Sequence, residues 1–184
     1  MKFLCYDTAL NGTYTLLLLQ KEYPIHRCLF QGTKDENIWD AAPWLFAIDS
    51  FDFSKIEQDP VSSLKEYTIF ETSDKIEDLC EHLHQFIYKI VDGREVYYRF
   101  WDARVLQRTL PEYSESKLKT FFEFIDAVYV LATGKTSYQK ISVGPKGKLS
   151  IVVTKASSFV EPEPKETEEE SIEQQPKKRR FFLD

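Results

Sequence analysis

Between Ile76 and Trp101 the hydrophobic period changes from helical to strand-like, and no other feature constrains the fold as tightly. Ile76, Leu79, Cys80, Leu83, Phe86 and Ile87 fall on one face of a helix predicted over about 75–89. Asp74, with Glu77 three residues on, has the pattern of a capping box at its start. Asp92-Gly93 then separates Tyr88–Val91 from Glu95–Trp101 and predicts a β-hairpin. A helix with a single apolar face, next to strands, needs a sheet to pack against. The predicted class is therefore α+β: a mixed β-sheet with flanking helices, in one or two lobes, followed by a disordered C-terminal tail.

The rest of the chain supplies the other strands. Phe3–Tyr6 reads as a short buried strand. Asn11-Gly12 opens a helix over about 13–22 with Tyr14, Leu17 and Leu18 on one face, and Pro24 ends it. Arg27–Phe30 is a second strand, stopped at Gln31-Gly32-Thr33, and this β-α-β spacing is compatible with parallel pairing. Trp44–Ile48, entered through Pro43, and Tyr67–Glu71 add two more apolar runs, with a helical turn over Ser54–Gln58 between them. Asp102 is placed to cap a short helix over 103–109, Pro111 breaks the chain, and Ser114 opens a helix with Leu118, Phe121, Phe122 and Ile125 inward. After the apolar run Ala127–Ala132, Gly134 and Pro145-Lys146-Gly147 bracket two candidate strands, Tyr138–Val143 and Lys148–Val153. Past Phe159 the sequence turns acidic and Pro-containing, then basic, with too few apolar residues to offset the entropy of ordering it. The expected organisation is one domain over 1–156, with a strand pair in 135–155, and a disordered tail over 157–184.

Composition excludes several functions. Hydrophobic residues make up 42% of the 184 and aromatics 15%, enough for a real core. A net charge of -6 disfavours nonspecific phosphate contacts, so nucleic acid is not an expected partner; Lys177–Arg180 is the local exception. Cys5, Cys28 and Cys80 are odd in number and widely spaced, which reads as free buried thiols in a reducing compartment. Met1-Lys2-Phe3 leads directly into a strand, and Leu16–Leu19 is too short for a signal or a membrane span. No membrane partner is expected, and the cytoplasm is the expected location.

Little in the sequence has the pattern of a catalytic constellation. Gly134-Lys135-Thr136 ends like a phosphate loop, but Val130 stands where the upstream glycine belongs. His82 and His84 lie two apart on a helix and diverge; Cys80 and His84 have i,i+4 spacing, but no second pair completes a metal site. The acidic groups Asp49/Asp52 and Glu77/Asp78/Glu81 read as solvated faces. No metal, no cofactor and no catalytic residue is expected.

The segment Asp92–Leu106 stands apart, with three arginines and four aromatics in one strand and its exit. As a strand it places Val96, Tyr98 and Phe100 on one face, and Tyr97, Arg99 and Trp101 on the other. Tyr, Arg and Trp are enriched at interaction hot spots, although the same residues serve equally well as core and ion-pair groups. Arg99-Phe100-Trp101-Asp102-Ala103-Arg104-Val105-Leu106 resembles the R-F-[YW]-D-x-R-V-L signature of the Tap-like adaptor chaperones of type VI secretion systems, with Ala103 where a proline is usual. Asp92-Gly93-Arg94-Glu95-Val96 resembles the family's turn into that strand. Leu29-Phe30-Gln31-Gly32-Thr33 and Ala42-Pro43-Trp44-Leu45 resemble its L-F-x-G-T and A-P-[YW]-L elements, in the family's order. The resemblance spans roughly residues 3–132. It implies a non-enzymatic cytoplasmic adaptor that binds a type VI effector and helps dock it on the VgrG spike. On that reading Arg99, Trp101, Arg104 and Tyr97 contact the partner, while Asp102, Gly93, Gly32 and Pro43 are structural. The alternatives are a small enzyme with a cleft between lobes and an immunity-type toxin-binding protein.

Overall fold

The computed structural model describes residues 1–131, 137–145 and 147–155. Gly134-Lys135-Thr136 and the tail 157–184 lie outside the described residues. Nine strands are present among them: β1 (Lys2–Asp7), β2 (His26–Cys28), β3 (Pro43–Ile48), β4 (Thr68–Glu71), β5 (Tyr88–Val91), β6 (Arg94–Tyr97), β7 (Ala127–Leu131), β8 (Ser137–Val143) and β9 (Leu149–Lys155). The helices are α1 (Thr8–Asn11), α2 (Thr13–Glu22), α3 (Ser54–Glu57), α4 (Ile76–Ile87), α5 (Ala103–Thr109) and α6 (Glu115–Phe121), with 3-10 turns at Glu36–Ala41 and Leu110–Glu112.

Seven strands form one sheet in the order β2-β3-β1-β4-β7-β8-β9, and each neighbouring pair is antiparallel. Strand β1 lies inside it and is apolar on both faces. Phe3 and Cys5 enter one core, with the α4 residues Leu79 and Leu83 and with Phe100 and Trp101. Leu4 and Tyr6 enter the other, with Leu16 and Leu19 of α2. This is the period-2 alternation of a strand covered on both sides. Full burial of each such side chain stabilises by roughly 1.5–3 kcal/mol. The α+β class, a sheet flanked by helices, is thus the observed architecture. Among the described residues no helix is long and apolar enough to cross a membrane.

Four local expectations change. Strands β1 and β2 point the same way but are not paired, because β3 lies between them. Strand β3 has Leu45 and Phe46 buried on opposite faces and fits the sheet interior, whereas β2 is three residues long with one buried side chain and fits an edge. Helix α2 buries Thr15, Leu16 and Leu19, leaving Leu17 at 60% and Tyr14 at 45% exposure. The expected face of Tyr14 and Leu17 is thus turned outward, because four consecutive leucines offer apolar residues on every side of the helix. The capping box is absent: Lys75 precedes α4 without a side-chain cap, and Glu77 instead accepts from Arg27 at 2.8 Å. Finally, the second hairpin strand ends at Tyr97 and not at Trp101. The hairpin itself, the caps of Asp102 and Ser114, and the free buried state of all three cysteines are as expected.

Candidate interaction surface

The hairpin β5–β6 forms a separate two-stranded sheet beside the main one. Val91 pairs with Arg94, leaving Asp92 and Gly93 as the two turn residues, at φ 50° and 72°. Positive φ at both central positions is the type I′ geometry that matches the twist of the flanking strands. Every residue of β6 is exposed, and the hairpin's exposed apolar groups are Ile90 and Val91 of β5 and Val96 and Tyr97 of β6.

An isolated hairpin is marginal in water, and here residues 30–35 hold it. Gly32, at φ +77°, lets the chain turn tightly. The Thr33 hydroxyl closes that turn by donating to the Phe30 carbonyl at 2.7 Å. Phe30 is thereby set against Tyr97, ring stacked on ring at 5.7 Å, and makes a T-shaped contact with Trp101 at 6.1 Å. Asp35 accepts from the hydroxyls of Tyr88 at 2.7 Å and Tyr97 at 2.9 Å. Those bonds, Tyr88 first, hold its carboxyl below the usual carboxylate range. Burial and the Asp35 charge push the Tyr97 phenol up to about 12, so it remains a proton donor. Lys34 adds an ion pair to Glu95 and lies 4.4 Å over the Tyr88 ring. Lys34, Asp35, Tyr88, Glu95, Val96 and Tyr97 together line a shallow depression of about 180 Å³.

Past Tyr97 the chain dives inward. The Tyr98 N–H donates to the Ile87 carbonyl at 2.8 Å, and the Phe100 N–H donates back to the Tyr98 carbonyl at 2.7 Å. This tight turn ends the alternation, so the consecutive residues Phe100 and Trp101 are both buried, at 0% and 3% exposure. Trp101, expected at the partner surface, is therefore a core residue. Its carbonyl accepts from Thr68 Oγ1 at 3.2 Å, which fastens the segment to β4.

Arg99 and Arg104 remain at the surface, each tied to a carboxylate. Arg99 donates through Nη2 to Asp7, whose side chain is 1% exposed at the end of β1. Arg104 grips Asp102 with two bonds, Nε to Oδ1 at 2.9 Å and Nη2 to Oδ2 at 2.7 Å, while Asp102 also accepts from the Arg104 N–H to cap α5. Burial pushes the Asp102 carboxyl up, but those bonds and the two nearby guanidinium charges outweigh it and leave the group below its ordinary value. Pro43 opens β3 opposite Asp7, and its carbonyl accepts from the Leu29 N–H at 2.9 Å.

The four motif-like segments of the sequence therefore meet around Asp7, Phe30 and the base of the hairpin. Tyr97, Arg99 and Arg104 are brought to this surface; Trp101 is not. Asp7, Lys34 and Asp35 escaped the sequence reading, and Phe30 entered it only as part of a strand and of the Leu29–Thr33 segment. A carboxylate closing an otherwise apolar strand was the available signal for Asp7. The adjoining 3-10 turn contributes Trp39, 49% exposed, and Ile38, 42% exposed. Among the described residues no group of three or more His, Cys, Asp or Glu side chains could hold a metal ion.

The family model described as Domain of unknown function (DUF4123) matches residues 6–120, a span that contains all four segments and ends before β7. No curated protein and no solved structure matches the chain.

Proposed function

The chain belongs to the DUF4123 family, and from that premise we propose that it is a non-catalytic adaptor for a type VI secretion effector. The family is associated with such adaptors. On this reading the protein holds the effector in the cytoplasm and helps load it onto a VgrG spike. The observation that carries the proposal is the exposed hairpin strand β6, whose Tyr97 is 44% exposed yet fixed by Phe30 and Asp35. A rigid aromatic side chain that shares its face of the hairpin with exposed Ile90 and with charged Glu95 has the composition of a binding hot spot with a polar rim. It loses little conformational entropy when a partner covers it.

The test uses tagged full-length protein recovered from cells that express the secretion genes. Wild type is expected to co-purify an effector of that system, and Tyr97→Ala combined with Val96→Asp to lower its recovery at least tenfold while the far-ultraviolet circular dichroism is unchanged. Equal recovery by both would move the interface away from the hairpin. Recovery of no effector by wild type would remove the adaptor reading.

A further inference from the structure

A second pocket lies on the opposite side of the hairpin's base, between the end of α4 and the start of α6. Phe86, Lys89, Tyr113, Ser116, Lys117 and Thr120 line it, and its volume is about 350 Å³. Lys89 is half-buried: its ammonium lies 3.2 Å from the centre of the Tyr98 ring and 5.4 Å from that of Tyr113, and it donates to the Tyr113 hydroxyl at 3.0 Å. Lys117 lines the same pocket, its ammonium 5.9 Å from the centre of the Tyr113 ring. Neither lysine has a carboxylate partner among the described residues. Burial, then the charge of Lys117, lowers the Lys89 pKa.

Two ammonium groups converging on an aromatic wall, in a chain whose 30 acidic residues outnumber its 24 basic ones, make a site for carboxylates. The chain carries a matching ligand. Residues 161–173 contain seven glutamates against the single Lys165. They follow β9, which ends at Lys155. The thirteen residues 156–168 span up to roughly 45 Å when extended. A domain of this size has a radius of gyration of roughly 15 Å, so the pocket is within reach. We propose that the Lys89–Lys117 pocket is a carboxylate-peptide site and that the glutamate-rich segment 161–173 of the same chain occupies it. A tether of this length gives an effective concentration of about a millimolar, so modest intrinsic affinity keeps the site filled. An acidic segment of another protein would have to displace the glutamates before it could bind. The proposal does not depend on the effector reading.

The experiment titrates a labelled synthetic peptide of residues 161–173 into full-length protein. Four forms are compared: wild type, a tail-neutralised form with Glu166, Glu168, Glu169 and Glu170 each replaced by Gln, that form with Lys117→Gln added, and that form with both Lys117→Gln and Lys89→Gln. The peptide is expected to bind the tail-neutralised form at least tenfold more tightly than wild type. Binding should weaken as salt is raised and fall at least tenfold with Lys117→Gln, a change at an exposed position that leaves the fold intact. Equal binding to wild type and to the tail-neutralised form would overturn the tail as occupant. Absence of binding to the tail-neutralised form, or binding indifferent to both lysine changes, would overturn the site.

Discussion

Arg99 is half in water, yet its guanidinium answers a carboxylate that is 1% exposed, and this asymmetry decides what its removal does. An exposed ion pair contributes about 0–1 kcal/mol. Leaving a buried charge without its partner costs about 3–5 kcal/mol. Because Arg99 keeps part of its hydration, Arg99→Ala is expected to fall between these limits, at roughly 2 kcal/mol, measured as the shift in the urea midpoint at constant slope. A loss below about 0.5 kcal/mol would mean that water reaches Asp7. Asp102 permits a cleaner test of charge, since Asn also caps helices well. Its folded pKa lies below the unfolded value. The stability it contributes is therefore complete above the unfolded pKa of about 3.9 and is lost as pH falls through the lower folded value. Asp102→Asn should lower stability at neutral pH and flatten the fall in stability below about pH 4, measured by urea denaturation across that range.

At the level of the element, the hairpin depends on its turn and on residues 30–35. Gly93→Ala places a side chain at φ +72°, a conformation costing about 1–2 kcal/mol for a residue with a Cβ. The cost should appear locally: amide exchange in β5 and β6 is expected to accelerate while β1 and β4 keep their protection. Uniform acceleration would show that the hairpin unfolds only with the whole domain. The same hairpin shows where sequence reading succeeds and where it stops. Asp92-Gly93 announces the turn because those residue types tolerate the φ values it requires. The strand end was not visible, because the aromatic alternation runs on to Trp101. Pairing ends at Tyr97 for a reason outside that pattern: its partner Tyr88 is the first residue after α4, and the next bond, from the Tyr98 N–H to the Ile87 carbonyl, already reaches the last residue of the helix. Of the four residues expected to contact a partner, Tyr97, Arg99 and Arg104 are at the protein surface, and Trp101 is lost to the core through this one termination.

For the whole molecule, one sheet with an apolar core on each face explains why pattern located most of the strands yet misplaced β2. Period 2 reports that a strand is covered; it carries no information about which strand lies beside it. Adjacency follows from how many faces each strand can bury, and β3, apolar on both, displaced the short β2 to the edge. The same ambiguity chose the inward face of α2, where Leu16–Leu19 offers apolar residues in every direction. Two single substitutions there test the two-faced core directly. Leu16 is fully buried against Leu4 and Tyr6, so Leu16→Ala removes contacts that the sheet cannot easily close and should cost about 2–5 kcal/mol. Leu17, 60% exposed, should change stability by less than about 0.5 kcal/mol on the same substitution. Urea denaturation of the two variants side by side gives the difference. Reversal of their order would put Tyr14, Leu17 and Leu18 against the sheet, rotate α2 about its axis, and remove the core that this face of the sheet is built on.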